Sequence, residues 1–595
     1  MPRAGLFLER LSDRLELGLD RLLAWAALAP WRGYLIVALV AVVTSLPGIT
    51  ELPVTDRDEG RFVQATKQMM ETGDFIDIRF QEEPRWKKPV GIYWLQAGAA
   101  TPFGATEAPV WAYRLPSMLA AILGAVATVW AARAILSPKA SILAGLALTT
   151  TVLLAAEATI AKTDATLMLT AVLTLGALFR VLTGKAARFD WLIFWLAIAG
   201  SMLIKGPIVP TIAALAILAT GIATRRLPPL AALRPVPGLV LTAAIVGPWL
   251  IAIWEISGGG FFEEAVGRDL LGKVAEGQEA HWGPPGLYAA IVWGTFWPAA
   301  SLLPAALASG WAARRDSTAI LMIAAWVVPF WLMLEVVQTK LPHYVLPLYP
   351  ALAMLVAWHV TQQTAPRARW LRIAAGVVAA LPGVVLGLAA ITLPLVLEGR
   401  LIAGAALFGL AAGGMAIVAG HAALHGRQRA QLAGGGLSAM LAITAVLQFG
   451  LPGLDTAFGT PQIAALARPF EACRSGPLVS AGYREPSLVF ATETTIRMPG
   501  TRETARIIAE EPGAVILLEE GRRNRLDRAL TERPDAPRMV GHASVSYFNY
   551  NRGDRETVTL MTRDDPRFAP CIAALGNAAQ PLATQQPSTE QPSSE

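Results

Sequence analysis

The chain has 595 residues, of which 54% are hydrophobic and only 16% charged, against roughly 25% charge in a soluble domain. With a mean hydropathy of +0.47, this composition excludes an ordinary soluble enzyme, and the apolar content excludes a disordered or fibrous chain. The net charge of +6 comes from short basic clusters between apolar runs, a membrane-topology pattern rather than a nucleic-acid-binding face.

Residues 1–31 interleave Leu6, Leu11, Leu15, Leu22 and Leu23 with Arg3, Arg10, Arg14 and Arg21. That spacing predicts an amphipathic helix on the inner membrane surface rather than a cleavable signal. A helix needs about 20 apolar residues to cross the hydrocarbon core. Thirteen stretches approach that length: 33–49, 113–136, 140–157, 164–183, 189–204, 207–223, 236–256, 287–308, 317–337, 343–363, 370–396, 400–422 and 431–452. After the arginine-rich N-terminal segment, every second connection is basic: Arg133 and Lys139; Arg180, Lys185 and Arg188; Arg225, Arg226 and Arg234; Arg314 and Arg315; Arg367, Arg369 and Arg372; Arg427 and Arg429. The positive-inside rule puts these in the cytoplasm and the long connections 50–112 and 257–286 outside.

An all-α polytopic membrane protein of about thirteen transmembrane helices follows, with its main body over 32–363 and additional helices over 364–454. Thirteen crossings leave the polar region over 455–576 outside. Its short apolar runs at Pro477–Ser480, Ser487–Ala491 and Ala514–Leu518, with Ser544–Tyr550 and Thr557–Met561 as a later strand pair, predict a small α/β domain. Residues 577–595, rich in Gln, Pro and Ser, read as a disordered tail. The only two cysteines, Cys473 and Cys571, lie in the outward domain. They suit either a disulfide or two buried thiols.

The outward connections hold nearly every residue capable of chemistry. Between Asp58 and Glu71, the residues Phe62, Ala65, Met69 and Met70 recur at helical spacing, with Gly73 placed to end the helix. This predicts a juxtamembrane helix with Asp58 and Glu59 in its first turn. Asp164 stands at the outward mouth of a span, and Lys205 and Lys340 occupy similar positions. Taken singly, the carboxylates suit helix capping and the lysines suit snorkelling. Together, Asp58, Glu59 and Asp164 face the cations Lys87, Lys88, Lys205, Arg268, Lys273 and Lys340, with His281 and His343 also outward. That pairing fits transfer from an anionic leaving group: a carboxylate activates the acceptor while cations hold the phosphate of a lipid carrier. Walker A, HExxH and CxxC motifs are absent from the sequence.

The segments Asp58-Glu-Gly-Arg61, Thr72-Gly-Asp-Phe75 and Lys88-Pro-Val-Gly-Ile-Tyr-Trp94 resemble the first periplasmic loop of bacterial lipid A aminoarabinose transferases and related family 39 glycosyltransferases. Asp164, Lys205-Gly206, Gly247-Pro-Trp249, His281 with Pro284-Pro-Gly-Leu-Tyr288, and Lys340-Leu-Pro-His-Tyr-Val-Leu-Pro347 extend the similarity over residues 35–360. The resemblance implies a C-class, inner-membrane glycosyltransferase taking sugar from a polyprenyl (undecaprenyl-type) phosphate at the periplasmic face. It implies Asp58 as the catalytic group, Asp164 as a second acid, Lys88, Lys205 and Lys340 as phosphate-binding, and Tyr344 as cavity-lining. Lys87 and Arg268 replace a Glu and a His associated with a metal in the aminoarabinose branch. No metal and no tightly bound cofactor are therefore expected, and an acidic donor sugar such as a uronic acid, or a different acceptor, becomes an expectation. The acceptor implied is lipid A or another envelope glycolipid. Alternatives are a protein O-glycosyltransferase, a lipid-linked sugar flippase, or an inactive binding protein.

Overall fold

The computed structural model describes residues 2–55, 57–226, 229–272, 282–362, 368–533, 537–549 and 553–578. The tail predicted over 577–595, from residue 579 onward, and His281 and Lys273 lie outside them. The chain forms two compact units, Met1–Leu454 and Asp455–Glu595.

The first unit is helical. Among the described residues, eight helices are long and apolar enough to cross a bilayer: Val110–Ala132, Asp164–Leu182, Leu230–Ser257, Thr318–Val336, Pro342–Thr361, Arg369–Glu398, Ala403–Leu424 and Gln428–Gly450. The other five predicted spans are helical, but each is either bent or shorter than 18 residues. Two are bent pairs, Pro138–Thr149 with Val152–Ala158 at 63° and Leu287–Thr295 with Ala299–Ala313 at 116°. Two are shorter apolar helices, Pro30–Ser45 and Ile208–Thr224. The last is the 16-residue Asp190–Lys205, which carries a charge at each end. Apolar composition cannot show such breaks, because a bent segment whose freed backbone groups are covered by protein has the same hydropathy as a straight one. The length and apolar composition of the helices make this unit membrane-embedded.

The N-terminal helix Pro2–Ala27 is tied into the same unit by charge. Asp13 pairs with Arg427, and both carboxylate oxygens of Asp20 accept from Arg429 at 2.9 Å. Ser12, Leu23 and Ala26 are buried, while Leu6, Phe7, Leu17 and Trp25 remain exposed.

The second unit is α/β. Leu478–Ala481 pairs in parallel with Val515–Glu519, which pairs antiparallel with Asp554–Arg563; Met539–Asn549 completes the sheet on the far edge. The parallel pair is joined by helices Pro486–Ala491 and Thr501–Glu510. Ser487–Ala491, predicted as a strand, is therefore a helical turn. Pro486 at its first position has no N–H to give to a ladder and presets a helical φ. Val479, Ile507, Ile508, Ile516, Leu518 and Leu526 form the core. Cys473 and Cys571 are joined by a disulfide with Cα atoms 6.4 Å apart.

Candidate active site

The helix Arg57–Thr72 packs Phe62, Ala65 and Met69 inward and ends at Gly73, whose φ of +71° suits glycine. Asp74 then closes the turn, accepting from the N–H groups of Ile76 at 2.9 Å and Asp77 at 3.0 Å. The two first-turn carboxylates go different ways. Successive helical residues are about 100° apart, so burying Glu59 leaves the Asp58 side chain 43% exposed.

Glu59 and Arg114 are both 0% exposed and form a two-pronged ion pair at 2.8 and 3.1 Å. The same carboxylate accepts from the N–H of Ala161 at 2.9 Å, the N–H of Thr55 at 2.9 Å and the hydroxyl of Thr55 at 3.1 Å. Arg114 also donates to the carbonyls of Ile49, Leu52 and Pro53. Burial works against the charged form of Glu59, but the Arg114 charge and these donors overcome it and hold the carboxyl below its ordinary range. With this many donors on it, Glu59 fastens three segments together. That differs from the catalytic assignment expected for it, and we assign it a positioning role below.

The connection beginning at Ala161 carries the second acid. Gln96, itself held by Thr66, donates to the carbonyl of Ala161 at 3.1 Å. Ser117 bonds both the N–H and the carbonyl of Lys162. Asp164 then opens the helix Asp164–Leu182, where the dipole favours a carboxylate. Lys205 closes the helix Asp190–Lys205, and its ammonium meets Asp164 at 2.5 Å. Gly206, at φ 72° and ψ −146°, occupies backbone space nearly reserved for glycine, so the chain can turn directly into the next helix.

From the turn Pro342–Leu348, His343 stands between two acids, 3.9 Å from Asp164 and 3.7 Å from Glu157. The Lys205 ammonium also lies 5.3 Å from the centre of the Tyr344 ring. Tyr344 stands in the field of Asp58, Asp164 and Asp269. Asp58 faces Lys162, Arg85, Arg61 and His343. Burial opposes its ionised form, but the three cations prevail and keep its carboxyl below the usual range. Asp58, Asp164, Lys205, His343 and Tyr344 thus occupy one end of the helical unit. The sequence reading missed Lys162, Arg85, Glu157 and Arg114 as partners. A signal existed for Arg114, since a charge within an apolar span requires a partner.

The remaining expected cations separate. Lys88 pairs at 2.5 Å with Asp269, another residue the sequence reading passed over, and Lys87 is half-buried beside it. Arg268 is 71% exposed and pairs with Glu263 and Glu264. Lys340 is spent on the end of helix Thr318–Val336, donating to the carbonyls of Leu334, Glu335 and Val337 at 3.0, 2.9 and 2.6 Å. Three carbonyls use the three donors of an ammonium, so the expected phosphate-binding role of Lys340 does not fit this geometry. The metal of the aminoarabinose branch does not fit either: Lys87 and Arg268, protonated, have no lone pair to offer it.

Residues 87–254 match the family described as dolichyl-phosphate-mannose-protein mannosyltransferase. The undecaprenyl phosphate-alpha-4-amino-4-deoxy-L-arabinose arabinosyl transferase of Edwardsiella ictaluri is 30% identical over 389 residues, 64% of this chain and 68% of that protein. The chain belongs to the family of that arabinosyl transferase. The enzyme of the same name from Aeromonas salmonicida is 30% identical over 52% of this chain, which spans 56% of its length. The crystal structure of ArnT from Cupriavidus metallidurans bound to undecaprenyl phosphate superposes with a TM-score of 0.67 at 20% identity, covering 88% of this chain and 97% of that one. Family and fold together confirm the expected C-class architecture of a polytopic membrane glycosyltransferase.

Proposed function

We propose that this family member transfers 4-amino-4-deoxy-L-arabinose, or a closely related sugar, from undecaprenyl phosphate to lipid A or a similar envelope glycolipid at the periplasmic face. The observation that carries the reading is the convergence of Asp58 with the buried Asp164–Lys205 pair in a chain whose relatives are named for this donor. Lys205 and Lys88 hold the donor phosphate, with Lys87 beside them. The Asp58 carboxylate takes the proton of the acceptor as the acceptor atom bonds to the anomeric carbon. The bond from that carbon to the phosphate oxygen breaks, and undecaprenyl phosphate leaves with the electron pair, inverting the centre.

Arg268, one of the two cations that pointed to an acidic donor, is exposed and balanced by two glutamates, which removes its share of that surplus positive charge and leaves Lys87 as the other. A cytoplasmic N-terminus and a periplasmic site and C-terminal unit follow from the alternating arginine clusters. The Cys473–Cys571 disulfide supports the same orientation, since such bonds persist in oxidising compartments.

The test is transfer from labelled lipid-linked donor by the purified full chain. Wild-type enzyme should release free undecaprenyl phosphate and label the glycolipid, and Asp58→Asn should lose at least ~10²-fold, the share of a general base. Full activity in Asp58→Asn, or movement of intact donor without release of carrier, overturns the reading.

A further inference from the structure

We propose that Lys162 is a positioning residue for the transfer reaction: its main chain is pinned one residue past the Ala161 N–H that Glu59 holds and two residues before Asp164, and its buried side chain steadies the Asp58 carboxylate that accepts the proton. The inference rests on the reaction proposed above and adds a residue and a role to it.

The placement is over-determined for a residue in a connection. The preceding N–H donates to Glu59 at 2.9 Å and the preceding carbonyl accepts from Gln96 at 3.1 Å. The Lys162 N–H donates to Ile160 at 2.9 Å, and its carbonyl accepts from Ser117 at 3.1 Å. Glu59, Gln96 and Ser117 are each fully buried and come from three different helices. A main chain held on three sides leaves the side chain a small volume to sample. Within it, Lys162 is 6% exposed, and a buried ammonium is tolerated only beside anions.

Those anions are Asp58 and Asp164, both of which feel the Lys162 charge, as does His343. The other groups facing Asp58 are Arg61 on its own helix, Arg85 and Tyr93 from the following loop and helix, and His343 and Tyr344 from the Pro342–Leu348 turn. Asp164 already has Lys205 on one oxygen and Thr163 on the other. Asp58 pairs with Arg61 at 3.4 Å, and among the cations acting on it Lys162 comes ahead of Arg85 and Arg61. Without Lys162, the ionised form of Asp58 loses a stabilising charge, and a protonated Asp58 accepts no proton from the acceptor.

The sign follows directly. Activity that needs ionised Asp58 falls as pH drops through the Asp58 pKa, and removing a neighbouring cation raises that pKa. In Lys162→Met and Lys162→Gln, the acid limb of the kcat/KM profile should move up by about one pH unit or more, the usual effect of one close opposite charge. Lys162→Arg should restore it. Ser117→Ala keeps the charge but loosens the main chain, and should move the limb the same way by less. A purely structural role lowers the rate evenly at all pH and leaves the limb in place. An unmoved limb in the folded neutral variants overturns the inference; if neither folds, an unmoved limb in Ser117→Ala does. Absence of sugar transfer by the wild-type enzyme would instead refute the reaction itself.

Discussion

Replacing Glu59 with Gln tests whether the buried pair with Arg114 fastens the site. The native carboxylate accepts two bonds from Arg114, two from Thr55 and one from Ala161. Gln keeps the shape but loses the charge and sets an NH2 against groups that are themselves donors. Removing one partner of a fully buried ion pair costs about 3–5 kcal/mol, because the other charge stays behind without compensation. Arg114 retains the Ile49, Leu52 and Pro53 carbonyls, which places the expected loss near the lower end, about 3 kcal/mol or roughly a hundredfold in the folding equilibrium. Unfolding of the full chain from mild detergent by graded SDS, followed through its 18 tryptophans, measures it. The Glu59→Gln, Arg114→Met double variant should lose less than the sum of the singles, because neither orphan remains. The folded-state pKa of Glu59 is lowered, so its contribution is fully present above the ordinary glutamate value and is lost as pH falls through the lower folded value. Stability in wild type should therefore drop more steeply below that value than in Glu59→Gln. A loss under about 1 kcal/mol, or strict additivity in the double variant, refutes the clamp.

Three further outcomes follow. Lys340→Met should destabilise the fold by about 2 kcal/mol, since three carbonyls lose a charged donor, while donor KM stays within about twofold of wild type at an equal cap on binding energy; a large KM increase would restore its phosphate-binding role. Asp269→Asn should release the Lys88 ammonium and lower donor KM by up to about fivefold, the worth of a partly buried pair near 1 kcal/mol, read in the same transfer assay. Reducing the disulfide between Cys473 and Cys571, separated by 98 residues, should lower the stability of the C-terminal unit by about 4–5 kcal/mol on the chain-entropy account, seen as an earlier proteolytic susceptibility confined to residues after Asp455.

What composition and spacing could show was one-dimensional: apolar runs, basic connections and the first-turn position of Asp58. The pairings that define the site join residues far apart in the chain. Glu59 meets Arg114 across 55 positions and Ala161 across 102, and no local pattern encodes either contact. Adjacent Asp58 and Glu59 looked equivalent because both sit in one helical turn, yet the rotation between them sends one to the pocket and the other into the packed interior. Lys340 and Lys205 also looked alike, each a lysine at the end of a span. They differ in what lies within reach: Lys205 finds a carboxylate, whereas the helix before Lys340 ends in open carbonyls that take its donors. The span breaks near Thr150 and between Thr295 and Ala299 were hidden for a related reason, since hydropathy records burial but not direction.

The Ala161–Asp164 connection links stability to chemistry in this fold. Glu59 follows Asp58 directly in sequence, and Ala161 lies three residues before Asp164, so the bond between Glu59 and Ala161 ties the main chain beside one acid to the main chain leading to the other. Gln96 and Ser117 add restraints from two more helices. A loop position that is merely tolerated would not be held from three helices at once. The arrangement makes sense if the relative placement of Asp58 and Asp164 is what the fold must keep constant for the proposed transfer. Variants that loosen this connection should then lose activity before the helical unit unfolds, because a misplacement of about 1 Å at a reacting group costs on the order of a hundredfold in rate while global stability still rests on the surrounding helices.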